Sequence, residues 1–359
     1  MSKWKEVISI LMVLCVCFIS VSAEQITSAN TTSVQSDLMV DYSEYTLEKA
    51  PAFLLEQIQS ATASSGQEPV SLAMDNANHL SSFTVENADG TLTVHQYLTD
   101  IKFIDTDNKV KFKDNTLVPS EKSNGLFSTY AYENKQNNIK SYFPKNIYQG
   151  LRLEYEDIII TMKPTAVQQQ LAQRNSSKTL LKAEAAELAV DYEGTDVVEY
   201  NNVFGPNTSV QYAPSWNGIK ENIVLEAYTG QNVFQFDLNL GDLTPKQLEG
   251  GTLGLQNDAG EDVASIGQIF VTDSYDGDET VEFHSTLNNT QKLEKLDNSG
   301  NYRLSVTVDK EFLEDESTVY PVVIDPSVSV ISGYLWDTSV YSSRNRSPNP
   351  YYQDQFALV

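Results

Sequence analysis

Cysteine is almost missing from this chain, and both copies fall in one place. Among 359 residues there are two, Cys15 and Cys17. They lie in an apolar run from Val7 to Val21, which follows Lys3 and Lys5. Basic residues, an apolar stretch and then Val21-Ser22-Ala23 form the pattern of a secretory signal peptide. Cleavage is expected after Ala23, leaving Glu24 as the new N-terminus. The run falls short of the roughly 20 apolar residues that span a bilayer, so no transmembrane anchor is expected after processing. Leu14 and Val16 precede the cysteines, where lipoprotein processing would want a small residue. The processed chain would then hold no thiol. That excludes disulfides, zinc–thiolate sites and a cysteine nucleophile together. A secreted chain of this length without a disulfide reads as bacterial, extracellular and available to the cell wall.

Positive charge is scarce as well. Lys and Arg number 24 against 49 Asp and Glu, for a formal net charge of −25. Such a surface repels phosphate backbones, and no basic patch interrupts it, so no nucleic-acid partner is expected. Histidine is rarer still, with His79, His95 and His284 as the whole set. No HExxH, Walker loop, nucleophile elbow or dinucleotide glycine pattern occurs, and the run from Gly250 to Gly254 has the wrong spacing for one. No catalytic residue is assigned, and the chain reads as a non-enzyme. His95 and His284 stay open as triad members, because triad partners need not be close in sequence.

What is abundant is alternation. Phe234, Phe236, Leu238 and Leu240 alternate with polar residues, as do Tyr302, Leu304, Val306 and Val308. A two-residue period means one buried face and one wet face, as in antiparallel sheets. In Thr91–Leu98, Leu92, Val94 and Leu98 share one face, with His95 opposite. In Lys109–Lys113, Val110 and Phe112 are expected inside and the three lysines outside. Leu47, Phe53, Leu54, Ile58 and Ala61 fall at helical spacing, with Pro51 as a breaker. The fold class expected is mainly β: two antiparallel β-sandwich-like domains joined by a short helical or flexible connector, plus the start of a further β module. In order these are a signal peptide (1–23), a low-complexity tether and short helix (24–75), a β domain (76–165), the connector (166–190), a β-sandwich-like domain (191–326) and an incomplete module (327–359).

Within this plan, Thr208–Ala213 and Ile219–Leu225 read as a hairpin turned at Asn217-Gly218, with Trp216 at its tip. Carboxylates gather at Asp105 and Asp107, and at Asp273, Asp276, Asp278 and Glu279 in DSYDGDE. Oxygen donors on a loop suit calcium, although the spacing is not that of an EF-hand, and a solvated turn is the other reading. No other cofactor is expected. Trp216, Trp336, Tyr334, Tyr341, Tyr351 and Tyr352 would stack on sugar rings where exposed, or else pack within the sheets.

Three segments together resemble a known leader region. FTVENADGTLTVHQYLTDIKFIDTDNKVKFKDNTLV, the hairpin YNNVFGPNTSVQYAPSWNGIKENIVLEA and STVYPVVIDPSVSV are similar to the N-terminal part of large secreted or wall-associated bacterial proteins. In those proteins a β-rich leader precedes DNRLRE modules and often RHS repeats. TSVYSSRNRSPNPYYQDQFALV resembles the opening of a DNRLRE module, a carbohydrate-binding-like sandwich, although Asn349-Pro350-Tyr351-Tyr352 departs from its usual turn. Such a module needs more strands, so the chain reads as a fragment. The resemblance implies a secreted, non-enzymatic leader that presents a polysaccharide- or cell-wall-binding module. A secreted polysaccharide hydrolase, and a scaffold delivering a downstream RHS-type toxin, are the alternatives.

Overall fold

The structure is a computed structural model that describes residues 45–73, 79–97, 99–125, 129–165, 196–248, 251–275, 284–326 and 328–330, with the backbone of Ser20–Val21. The signal segment with Ala23 and Glu24, the tether, the connector and the module from 331 onward lie outside the described residues. The chain divides into two units between Asp114 and Asn115.

The first unit holds β1 (Ser20–Val21), α1 (Ala52–Ser65), β2 (Pro69–Ala73), β3 (Ser82–Asn87), β4 (Leu92–Gln96), β5 (Lys102–Ile104) and β6 (Val110–Phe112). Helix α1 begins after Pro51, whose fixed φ and missing N–H suit a helix start, so the proline precedes the helix instead of breaking it. Gly66 ends it in the left-handed region (φ 70°), donating its N–H to Thr62 O. Leu54, Ile58 and Ala61 are the buried stripe. The sheet runs β1-β4-β3-β2, and β5 and β6 form a separate hairpin.

Two expectations are corrected in this unit. Strand β4 alternates as anticipated, but its inner face is the one carrying His95, which is 1% exposed, while Leu92 and Val94 are only half-buried. The register explains this. His95 pairs with Phe83 and Thr93 with Val85, on the face that β3 buries. The lysines also divide. Lys109 is exposed and Lys111 pairs with Asp105 at 2.8 Å, but Lys113 is buried, where the chain leaves β6 and Phe112, Lys113 and Asp114 are enclosed in succession. Burial pushes the Lys113 ammonium down to about 8, opposed by Asp100.

The second unit opens with β7 (Asp114–Pro119), β8 (Tyr132–Gln136), β9 (Lys140–Phe143), β10 (Leu151–Tyr155), β11 (Ile158–Pro164), β12 (Val198–Tyr200), β13 (Thr208–Pro214), β14 (Gly218–Leu225) and β15 (Val233–Asn239). It continues with β16 (Thr244–Gln247), β17 (Leu253–Gln256), β18 (Asp262–Ile266), β19 (Phe270–Thr272), β20 (Ser285–Thr286), β21 (Thr290–Lys295), β22 (Asn301–Thr307), α2 (Lys310–Glu314), β23 (Val322–Asp325) and β24 (Val328–Val330). An eight-stranded sheet runs β21-β22-β15-β11-β10-β9-β8-β7. A ten-stranded sheet runs β16-β17-β18-β24-β14-β23-β19-β20, with β13 and then β12 branching from β14. All recorded strand pairs are antiparallel, and the mainly β, antiparallel fold class stands.

Both sheets contribute to one hydrophobic core, including Phe234, Phe236 and Leu304 from the first and Val210, Ile223 and Ile324 from the second. Tyr200 of β12 ties into it by donating its hydroxyl to Pro144 O at 2.7 Å. The alternation read in β15 and β22 holds, and the two strands pair with each other, Phe236 opposite Leu304. The division into units differs from the one expected. Strand β11 pairs with β15, so residues 158–164 and 233–239 share a sheet across the supposed connector.

The hairpin of β13 and β14 also turns one residue earlier than expected. Pro214 pairs with Ile219, and Ser215 donates its N–H to Gly218 O, which leaves Trp216 and Asn217 as the corner residues. Gly218 already belongs to the strand, opposite Ser329. A Cβ there would stand 2.2 Å from Val328 O and 2.7 Å from Ser329 Cα. Close approach of a neighbouring backbone, and not a positive φ, demands this glycine.

Candidate functional site

The residues singled out from sequence scatter. Trp216 is half-buried at its hairpin corner. Trp336, Tyr334, Tyr341, Tyr351 and Tyr352 lie outside the described residues, as do Asp276, Asp278 and Glu279. Asp105 organises a turn by accepting the N–H groups of Asp107 and Lys109. His79 is exposed. His95 stacks on Phe83 with centroids 4.3 Å apart and planes 6° from parallel. Burial pushes its imidazole down to about 4, and among the described residues its Nδ1 has no hydrogen-bond partner. It is a neutral packing residue.

Asp273 and His284 are brought together. They flank the junction of β19 and β20, where Asp273 donates its N–H to His284 O. The Asp273 side chain is 1% exposed and faces inward. Its Oδ1 accepts the Tyr275 N–H at 3.0 Å, and its Oδ2 accepts the Val319 N–H at 2.8 Å. The same Oδ2 lies 3.2 Å from His284 Nδ1. The Tyr275 ring lies flat on the imidazole, with centroids 4.2 Å apart and planes at 8°. A carboxylate can only accept, so Nδ1 carries the proton, and the lone pair of the neutral ring is on Nε2. This carboxylate is therefore occupied by two backbone amides and a histidine. Among the described residues no group of three or more His, Cys, Asp or Glu is placed to hold a metal ion.

His284 lines an open cleft of about 400 Å³ together with Ser285, Thr286, Asp309, Glu311, Phe312, Asp315, Ser317 and Thr318. Asp309 caps α2 by accepting the Glu311 N–H, and its Oδ2 accepts from the Thr286 hydroxyl at 2.8 Å. The Thr286 hydroxyl holds the Asp309 carboxyl below the usual carboxylate range, and the Ser317 hydroxyl does the same for Asp315. Among the described residues the lining thus combines an oriented imidazole, three carboxylates and four hydroxyls, with no lysine or arginine. Periodicity could not reveal it, because nothing in a strand pattern says that residues 273, 284 and 309–318 converge.

A second group missed from sequence is Glu221 on β14. It is fully buried and accepts from the Tyr212 hydroxyl at 2.9 Å. Burial, reinforced by Asp325, holds its carboxyl well above the usual range, so it is a neutral acid inside the sandwich.

No family profile matches the chain, and no solved structure matches it. Over 212 residues it is 32% identical to the tRNA nuclease WapA of Bacillus subtilis (strain 168), a match covering 58% of this chain and 9% of that protein. Over 161 residues it is 35% identical to the tRNA(Glu)-specific nuclease WapA of Bacillus subtilis subsp. natto, covering 44% and 7% respectively. The tRNA3(Ser)-specific nuclease WapA of Bacillus spizizenii is 32% identical over 213 residues, again 58% of this chain and 9% of that protein. The chain thus spans less than a tenth of the length of the curated relatives it matches.

These relatives correct the functional expectations. A leader for a DNRLRE carbohydrate-binding module finds no support in any family profile, and the proteins that do match are named as nucleases. The non-enzymatic reading and the carbohydrate-binding role fall with it. So does the exclusion of nucleic acid, since the relatives are named for tRNA. Net charge was no guide here, because a surplus of acid in a stretch that matches less than a tenth of each relative says nothing about the charge of those relatives. The toxin-delivery alternative agrees better with these names.

Proposed function

We propose that this chain is part of a tRNA nuclease of the WapA kind, exported and held outside the cell or at its wall, and that its β-rich units carry the nuclease to its target. The observation that carries this reading is 32% identity sustained over 212 residues with a protein named for that activity. Two further features support a carrying role for the stretch. Its second unit packs antiparallel sheets around an extensive core, and the cleft at His284 is lined by carboxylates, which repel a phosphodiester. Among the described residues no helix is long and apolar enough to cross a membrane.

A chimera tests it. The 212 matching residues of the Bacillus subtilis tRNA nuclease WapA are replaced by their counterparts from this chain. The chimera is expected in the medium or wall fraction, with tRNA cleavage in lysates and inhibition of co-cultured cells at the parental level. A chimera that cleaves tRNA but is not exported, or that is exported without inhibiting its neighbours, would overturn the carrying role. Cleavage of tRNA by the purified 359-residue chain would move the catalytic groups into this stretch instead.

A further inference from the structure

We propose that the cavity between α1 and its sheet in the first unit binds one ordered water, held by His95 and Thr93, and that this water ties the helix to the sheet. The inference stands on the first unit alone and does not depend on the nuclease reading. The cavity measures about 10 Å³, which is room for a single water and for nothing larger. Helix α1 walls it with Ile58, Ala61 and Thr62, and the sheet walls it with Val85, Thr93 and His95. None of the residues that line it is an Asp, Glu, Lys or Arg, so the site suits a neutral molecule.

His95 supplies the second, independent observation. It is 1% exposed, it lines the cavity, and among the described residues its Nδ1 has no hydrogen-bond partner. Leaving a buried polar atom unpaired is costly, and buried waters sit where such atoms border a cavity. Water both donates and accepts, so it serves Nδ1 in either tautomer of the neutral ring.

The other partners follow from the strand and the helix. Thr93 and His95 are two residues apart on the inner face of β4, about 7 Å along the backbone, and two hydrogen bonds of about 2.8 Å through a water span such a gap. The Thr93 hydroxyl accepts from Asn87 Nδ2 at 2.9 Å, which leaves its own proton to give. Across the cavity the Thr62 hydroxyl donates to Ile58 O at 2.8 Å, which leaves its oxygen to accept. One water thus meets three partners, the usual number for a buried site, with the helix on one side and the sheet on the other.

A high-resolution crystal structure of the purified full chain, with water–protein NOEs in solution, tests the site. Density for one water is expected within about 3.2 Å of both His95 Nδ1 and Thr93 Oγ1. NOEs to the His95 ring and the Thr93 methyl should carry the sign of a long-resident water. H95F keeps the ring but not the nitrogen; it should lose the water, and amide exchange at residues 58–62 should quicken about fivefold. T93V should lose the water as well, whereas T93S keeps the hydroxyl and should retain it. A wild-type map without that water, a water that persists in both H95F and T93V, or H95F exchange equal to wild type would each overturn the proposal.

Discussion

The Tyr212 hydroxyl donates to Glu221 Oε1 at 2.9 Å across a direct cross-strand pair of β13 and β14, and neither side chain reaches solvent. Asp325 on β23 adds negative charge nearby, and among the described residues Glu221 Oε2 has no hydrogen-bond partner. Folding therefore favours the protonated acid.

The sign of the resulting pH dependence follows. The folded chain keeps a proton on Glu221 that the unfolded chain releases above its ordinary range, near pH 4.5. The stability this group contributes is thus complete in acid and is lost as pH rises, by up to about 1.4 kcal/mol per pH unit. E221Q, which cannot ionise, should show a urea midpoint that rises relative to wild type between pH 6 and 9. Parallel midpoints across that range would mean that Glu221 is already charged when folded.

His95 acts in the opposite direction. Its folded value, about 4, lies below the ordinary 6.5 because burial penalises the imidazolium. Between those values the unfolded chain binds the extra proton, so stability is lost as pH falls through that window. H95F keeps an aromatic ring over Phe83 and removes the titration. Its urea midpoint should change less between pH 7 and 4.5 than that of wild type, and an equal change would refute the assignment.

Two glycines should reject a methyl group for different reasons. G218A drives Cβ into the backbone of Val328 and should cost at least about 1–3 kcal/mol, with hydrogen-exchange protection lost at Val328–Val330. G300A meets Gly241 O at 2.2 Å and must also hold a φ of 75°, so its thermal midpoint should fall at least as far. A near-neutral G218A would show that the β14–β24 approach is looser than described.

Asp309 joins a helix cap to the cleft. Replacing it by Ala removes the acceptor for the Glu311 N–H and for the Thr286 and Asn288 side chains. A loss of about 1 kcal/mol in calorimetry is expected, with exchange quickened at Glu311. D309N retains an acceptor and should recover most of it.

Much of the fold was legible residue by residue. Phe234 to Leu240 and Tyr302 to Val308 announced half-buried strands, and both are. The inner face of β4 was misjudged because Leu92 and Val94 looked more apolar than His95, yet ring stacking on Phe83 outweighs hydropathy there. The turn at Trp216 was displaced because Asn217-Gly218 imitates a tight-turn signal that the strand uses for close packing. Of the cleft, sequence offered His284 and Asp273 as separate suspects, with no sign that they meet.

Local order explains the division. A period of two, a proline before a helix and the distribution of charge and thiols are properties of neighbours in the chain, so the sequence alone determined an antiparallel β protein with an acidic surface. Which strand pairs with which depends on contacts between residues far apart, and the free energy of a pairing does not appear in either partner. Only the tertiary structure could seat Ile158–Pro164 beside Val233–Asn239, enclose Glu221, set Asp273 against His284, and bring His284 to one cleft with the helix at Lys310–Glu314.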